Sequence, residues 1–301
     1  MQIDFNKIRN YGNLELLAKQ LVEGFITGLH KSPYHGFSVE FAEHRLYNNG
    51  ESTRHIDWKV FAKTDRLYTK RFEEETNLRC QIVIDNSSSM YYPTDTNGKI
   101  TFSVMAAASI CYLLQRQRDA FGLSVFSDKI VLKTDVKSTS AHLNNILKTL
   151  QEIVVKDKSN SSTNIAEVLH EIAEQTKRRS LVIIFSDMFE SNSNLEETFH
   201  ALQHLKHNKH EVLLFHVNDK STEFDFDFDD KPHQFIDLET GEKLKIQPAE
   251  LKDIYQKKIN EFHQDLKIKC GQLKIDLIET DIQNGYHQIL ESYLIKRKKM
   301  R

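Results

Sequence analysis

The sequence predicts an α/β fold, a mostly parallel sheet with helices on both faces, preceded by a small N-terminal α+β annex. Three observations carry this expectation. From Leu78 onward, short apolar runs of strand type such as Cys80–Ile84 and Ser180–Phe185 alternate with helical patterns. Strands without a polar face belong to sheets covered on both sides. Thr101–Arg116 is apolar on nearly every side, as expected of a helix packed against such a sheet. Residues 1–77 lack the alternation and read as a separate helix and annex, with 78–301 as the main domain and a late insertion around 221–250.

The elements follow in order. Leu14, Leu17, Leu21 and Phe25 recur at helical spacing within Asn13–Leu29. Leu67–Phe72 is a candidate strand leading out of the annex. Arg45, Arg54, Asp57 and Trp58 read either as a partner-facing patch or, the favoured expectation, as an Arg54–Asp57 ion pair with Trp58 anchoring the annex to the main domain. Gly122–Phe126 and Lys129–Lys133 read as adjacent strands joined at Ser127–Asp128. Ala141–Ile153 and Ile165–Thr176 are amphipathic helices, Leu195–His207 another, and Glu211–Val217 a strand. Phe224–Asp230 alternates aromatic and acid and predicts a half-buried strand. Leu251–Cys270 is a long helix, Leu273–Glu279 a last strand, and Tyr286–Arg297 a closing helix.

Composition narrows the function classes. With 301 residues, 39% hydrophobic and 28% charged, the chain can bury one sizeable core and a smaller annex. A net charge of -2 offers no field for nucleic acid or an anionic membrane. The basic run Lys296–Lys299 reads as a solvated helix end. Cys80, Cys111 and Cys270 are far apart in apolar runs and read as reduced core cysteines. No apolar leader is legible at the N-terminus, and the apolar stretch Val104–Leu114 is shorter than the roughly 20 residues a bilayer requires. The expectation is a cytoplasmic protein without a membrane span.

Open α/β sheets bind ligands beyond the carboxyl ends of their strands. Three segments there carry oxygen donors: Asp85-Asn86-Ser87-Ser88-Ser89, Ser161-Ser162-Thr163-Asn164, and Ser186-Asp187. A turn leaving the first strand aims Asp85, Ser87 and Ser89 into one space, where hydroxyls and a carboxylate suit a hard cation such as Mg²⁺. Asp85-x-Ser87-x-Ser89 with a later Thr163 and Asp187 resembles the metal-ion-dependent adhesion site of von Willebrand factor A domains. That resemblance implies a Mg²⁺ or Mn²⁺ ion with the serines and threonine as direct ligands. It further implies that the carboxylates act mostly through water, that one metal position is left for an acidic residue of a partner, and that the closing helix 286–297 slides when the metal changes ligands.

The N-terminal segment narrows the resemblance. Gly28-Leu29-His30-Lys31-Ser32-Pro33-Tyr34-His35-Gly36 is followed by Glu40-Phe41-Ala42-Glu43-His44-Arg45 and by Gly50-Glu51-Ser52-Thr53-Arg54-His55-Ile56-Asp57-Trp58-Lys59. Lys70-Arg71-Phe72-Glu73-Glu74-Glu75 comes next, and Asp237-Leu238-Glu239-Thr240-Gly241 lies in the insertion. Together these are similar to the bacterial domain-of-unknown-function family 58. That similarity implies a partnership with a MoxR-type AAA+ ATPase, or its client, in remodelling or maturing other proteins.

Other chemistry fits the residues less well. A phosphatase using Asp85 as nucleophile normally has a second Asp two residues on, where Ser87 stands. Gly-x-Ser-x-Gly and Gly-x-x-x-x-Gly-Lys motifs are both missing from the sequence. His200, His204 and His207 share a helix face without a Glu or Cys partner and read as solvated. Phe224–Asp230 fails as a calcium loop, because Asp230 stands where a Gly is required. The expectation is a non-enzymatic metal-dependent interaction module; the alternatives are a Mg²⁺-dependent phosphatase or a scaffold with a vestigial site.

Overall fold

A computed structural model describes residues 14–30, 41–47, 56–72, 78–96, 98–155, 164–188, 195–238 and 241–300. Two compact units divide the chain: Ile26–Asn77, and Met1–Phe25 together with Leu78–Arg301. In the smaller unit, β1 (Phe41–Leu46) and β2 (Tyr68–Phe72) pair antiparallel around a short helix, α2 (Trp58–Thr64). Asp57 caps that helix, accepting from the backbone N–H groups of Lys59 and Val60. Trp58 is 61% exposed, with the edge of its ring against Phe61. Arg54, its expected ion-pair role and the Gly50–His55 block lie outside the described residues.

The larger unit is the predicted sheet. Its strands are β3 (Arg79–Asp85), β4 (Ala120–Phe126), β5 (Ile130–Lys133), β6 (Leu181–Ser186), β7 (Glu211–Asn218) and β10 (Asp276–Asp281). They run in the order β10-β7-β6-β3-β4-β5, all parallel except β5 at one edge. β6 is buried at every position, and β3 and β7 at all but their first, because helices cover both faces. On one face Val83, Val182, Ile184, Val212 and Leu214 pack against α5 (Ile165–Gln175), α6 (Leu195–His207) and the end of α7 (Pro248–Gln272). On the other, α3 (Gly98–Arg116) packs on β3, β4 and β7, flanked by α4 (Ser140–Val155) and α8 (His287–Lys299). α1 (Leu14–His30) buries Leu14, Ala18, Leu21, Val22 and Phe25, and Phe25 meets His287 edge-on.

α3 is long and apolar enough to cross a membrane by length and composition, a test the shorter apolar stretch did not meet. Yet it is almost wholly buried within the fold, so it is the central core helix. The three cysteines are free and buried, as their apolar neighbours predict.

Two expectations are corrected. Phe224–Asp230 is not a strand: Lys220–Phe224 forms a wide helical turn, and Phe226 takes a left-handed φ of 47° that ends any alternation. The insertion's strands are β8 (His233–Ile236) and β9 (Lys243–Ile246), a hairpin apart from the main sheet. The last strand starts at Asp276 rather than Leu273, because Leu273 and Ile275 still bond back to Lys269 and Cys270 through a left-handed Lys274.

Candidate metal centre at the sheet edge

From β3 the chain moves outward through β4 to β5, then returns to the opposite side of β3 through β6, β7 and β10. The carboxyl ends of β3 and β6 therefore flank the topological switch point, where open α/β sheets bind ligands. Asp85 is the last residue of β3; Ser186 closes β6 and Asp187 follows.

The chain leaves β3 through a tight 3₁₀ turn, Ser88–Tyr91. Its apolar side holds it down: Met90 and Tyr91 are buried, and the Tyr91 hydroxyl donates to Asn86 Oδ1 at 2.9 Å. Its hydroxyl side stays beside Asp85. Asp85 Oδ1 accepts from the Ser87 backbone N–H at 2.9 Å, and Oδ2 accepts from Ser186 Oγ at 2.6 Å. Ser87 Oγ and Ser89 Oγ are 3.0 Å apart. Asp85 and Ser87 are fully buried, while Ser89 is partly exposed, so approach is from the Ser89 side.

Asp187 is 1% exposed, and its Oδ2 accepts from Lys99 Nζ at 2.8 Å. Its main-chain oxygen is 2.8 Å from His216 Nε2, and Asn218 Nδ2 is 2.9 Å from His216 Nδ1. This network requires a neutral ring with its proton on Nε2. Burial, reinforced by neighbouring His263, lowers the His216 pKa to about 3, in keeping with that neutral form.

The electrostatics of the centre are unbalanced. Burial first, and the Asp187 charge second, push the Asp85 carboxyl up to about 7, against the pull of its hydrogen bonds from Ser186 and Ser87. Lys99 is as buried as Asp187 and also donates to Glu223 Oε1 at 2.5 Å. Burial alone would lower its pKa, but the Asp187 and Glu223 carboxylates reverse that and hold it above its ordinary value. One ammonium thus bridges two buried or largely buried carboxylates, and the Asp85 carboxyl feels the charge of the first of them.

The donor set fits a hard, oxygen-seeking divalent cation: carboxylates and adjacent hydroxyls, with negative charge in excess. Asp85, Ser87 and Ser89 come together, and Asp187 arrives on the neighbouring strand end close enough to perturb Asp85. Thr163, with Ser161 and Ser162, lies outside the described residues. Among the described residues no group of three or more His, Cys, Asp or Glu is arranged to hold a metal, so any cation here would depend on the serine hydroxyls.

Lys99, Glu223 and His216 escape the sequence reading, and Ser186 stands in it only as the oxygen donor before Asp187. Lys99 leaves one signal, a single cation at the start of an otherwise apolar helix. Glu223 leaves none, since it sits in an insertion rich in acids. His204 is not simply solvated either: its Nδ1 lies 3.0 Å from His170 Nδ1 across α5 and α6.

The family described as "Protein of unknown function DUF58" matches residues 43–264. An uncharacterized protein of Mycobacterium bovis is 26% identical over 206 residues, covering 68% of this chain. The same identity and coverage hold for an uncharacterized protein of Mycobacterium tuberculosis. The matched stretch spans 63% of the length of these relatives. Among solved structures, the conserved hypothetical protein BatB from Bacteroides thetaiotaomicron aligns with a TM-score of 0.45 and 14% identity, over 74% of this chain and 98% of its own.

Proposed function

We propose, from the premise that the chain belongs to the DUF58 family, that it is a metal-dependent protein-interaction module. In this reading Asp85, Ser87, Ser89 and Asp187 hold a Mg²⁺ or Mn²⁺ ion and capture an acidic side chain of a protein partner. The observation that carries it is the convergence of Asp85, Ser87 and Ser89 with Asp187 at the switch point between β3 and β6.

Each residue has a part that its surroundings support. The neighbouring hydroxyls of Ser87 and Ser89 are neutral donors, which leave a bound ion with residual positive charge. Both oxygens of Asp85 already accept hydrogen bonds, which supports an orienting role over nucleophilic attack. Ser186 fixes Asp85 from the adjacent strand, and Lys99 fixes Asp187. When bound, the ion would supply the charge that an external carboxylate seeks. Thr163 joins the set by resemblance to the adhesion site. By resemblance to family 58, the partner is a MoxR-type AAA+ ATPase or its client, and the three scattered free cysteines support a reducing, cytoplasmic setting.

Co-purification of the full chain with a MoxR-type AAA+ ATPase, with and without EDTA, tests this reading. Binding is expected to be lost with EDTA and with Asp85→Ala. Binding unchanged under both conditions would sink it.

A further inference from the structure

Lys99 holds an unusual position. Its side chain is 1% exposed, and its ammonium sits between Asp187 Oδ2 at 2.8 Å and Glu223 Oε1 at 2.5 Å. Neither end of this bridge is loose. On the Lys99 side, the first turn of α3 is wedged in place: a Cβ at Gly98 would come within 2.8 Å of Pro93 Cδ and 2.9 Å of Ile282 Cδ1. The Lys99 N–H donates to Tyr92 O at 3.0 Å, and the ammonium lies 5.8 Å from the centre of the Tyr92 ring. On the other side, Glu223 Oε2 accepts from the Asp219 N–H at 2.8 Å, and Glu223 O accepts from the Tyr255 hydroxyl at 3.0 Å. A flexible side chain on a rigid start thus meets a carboxylate held by the insertion and by α7.

From this geometry we infer that Lys99 is the resident counter-cation of the Asp85–Asp187 centre and competes with a divalent cation for the Asp187 carboxylate. Glu223 sets the strength of that competition. The inference rests on the proposed metal site and assigns it a control the serines do not supply. Asp187 cannot be fully shared: an oxygen committed to an ammonium at 2.8 Å presents less negative charge to a metal. Glu223 draws part of the Lys99 charge away from Asp187. The insertion therefore tunes the centre through a side chain that no sequence motif marks.

The signs of the two substitutions are opposite, which a merely structural role does not produce. Lys99→Met removes the competing charge, so the centre binds a divalent cation more tightly, by about tenfold or more. Glu223→Gln leaves Lys99 with Asp187 alone, so binding weakens by about threefold or more. The experiment titrates MnCl₂ into the full chain by calorimetry for the unsubstituted protein and both variants. Lys99→Met leaves two carboxylates inside without their cation, so Glu223→Gln stands as a second variant that keeps the Lys99–Asp187 pair. Tighter binding in the first and weaker binding in the second is the expected result. Measurable binding in Lys99→Met alone also supports competition, with Lys99 prevailing in the native chain. Weakening in both, or no change in either, overturns the inference while leaving the metal site intact. No binding in any of the three proteins removes the metal site, and the inference with it.

Discussion

Replacing Arg297 with methionine is expected to lower the unfolding free energy by about 3–5 kcal/mol, the usual cost of leaving a buried charge without its partner. Asp119 is 1% exposed and immediately precedes β4. Its Oδ2 receives Arg297 Nε and Nη2, each at 2.8 Å, and its Oδ1 accepts from the Leu78 N–H at 3.2 Å. The neighbouring Lys296 pairs with Glu211 at 2.7 Å and Asp276 at 2.8 Å, but those carboxylates are about two-fifths exposed and contribute less. Together these contacts hold the end of α8 to the amino-terminal edge of the sheet, opposite the candidate centre. Denaturant unfolding of Arg297→Met, Asp119→Asn and the double variant checks the prediction. The double variant should lose less than Arg297→Met alone, because no unpaired charge remains. A loss below about 1 kcal/mol in Arg297→Met would mean the pair is no clamp. A closing helix pinned this way slides only by breaking the Asp119–Arg297 pair.

The second large effect has the opposite sign. Asp85→Asn is expected to stabilise the metal-free protein at pH 8 by about 2–3 kcal/mol. Unfolded, the Asp85 carboxyl ionises near its ordinary 3.8; folded, it does so at about 7. Between those values the folded chain keeps a proton that the unfolded chain has lost. Stability from this group is therefore full below about pH 4, declines as pH rises toward 7, and stays low above it. The ceiling of that penalty is about 4 kcal/mol. Asparagine offers one acceptor where the carboxylate offered two, which returns about 1 kcal/mol of it. Thermal melts from pH 4 to 8 in the presence of EDTA should show a decline in the unsubstituted chain that Asp85→Asn flattens. Parallel curves for the two proteins would contradict the prediction. A residue that destabilises the fold it belongs to is the pattern expected of a functional group.

Much of this was legible in the sequence, for a physical reason. Strands buried on both faces must be apolar throughout, so β3 and β6 announce themselves, and the polar residues that stop them mark the ligand-binding edge. Asp85, Ser87, Ser89 and Asp187 are visible as interruptions of apolar runs. What escaped depends on long-range contacts or on local backbone. Lys99 meets Asp187 across 88 residues and Glu223 across 124, and neither separation leaves a pattern in the chain. Lys274 takes a left-handed φ of 55° without being Gly or Asn, so no residue type in the sequence separates the end of α7 from the strand that follows. The phenylalanines of the insertion suggested one face of a sheet. Instead Phe226 lies 4.7 Å from Tyr255 and 5.8 Å from Phe235, and Phe228 lies 5.2 Å from Phe235, an aromatic cluster around a turn.

In the proposed function, the hydroxyls of the Ser87–Ser89 turn and the Asp85 carboxylate form a cation site that keeps room for a carboxylate from outside. Electron paramagnetic resonance of Mn²⁺ added to the full chain at pH 8 tests it most directly, with Ser87→Ala/Ser89→Ala as the control and an acidic peptide as the added ligand. One bound Mn²⁺ is expected, with a spectrum that changes when the peptide is added, and that bound ion is lost in the double variant. Bound Mn²⁺ that persists in the double variant, or no bound Mn²⁺ in the unsubstituted chain, would contradict it.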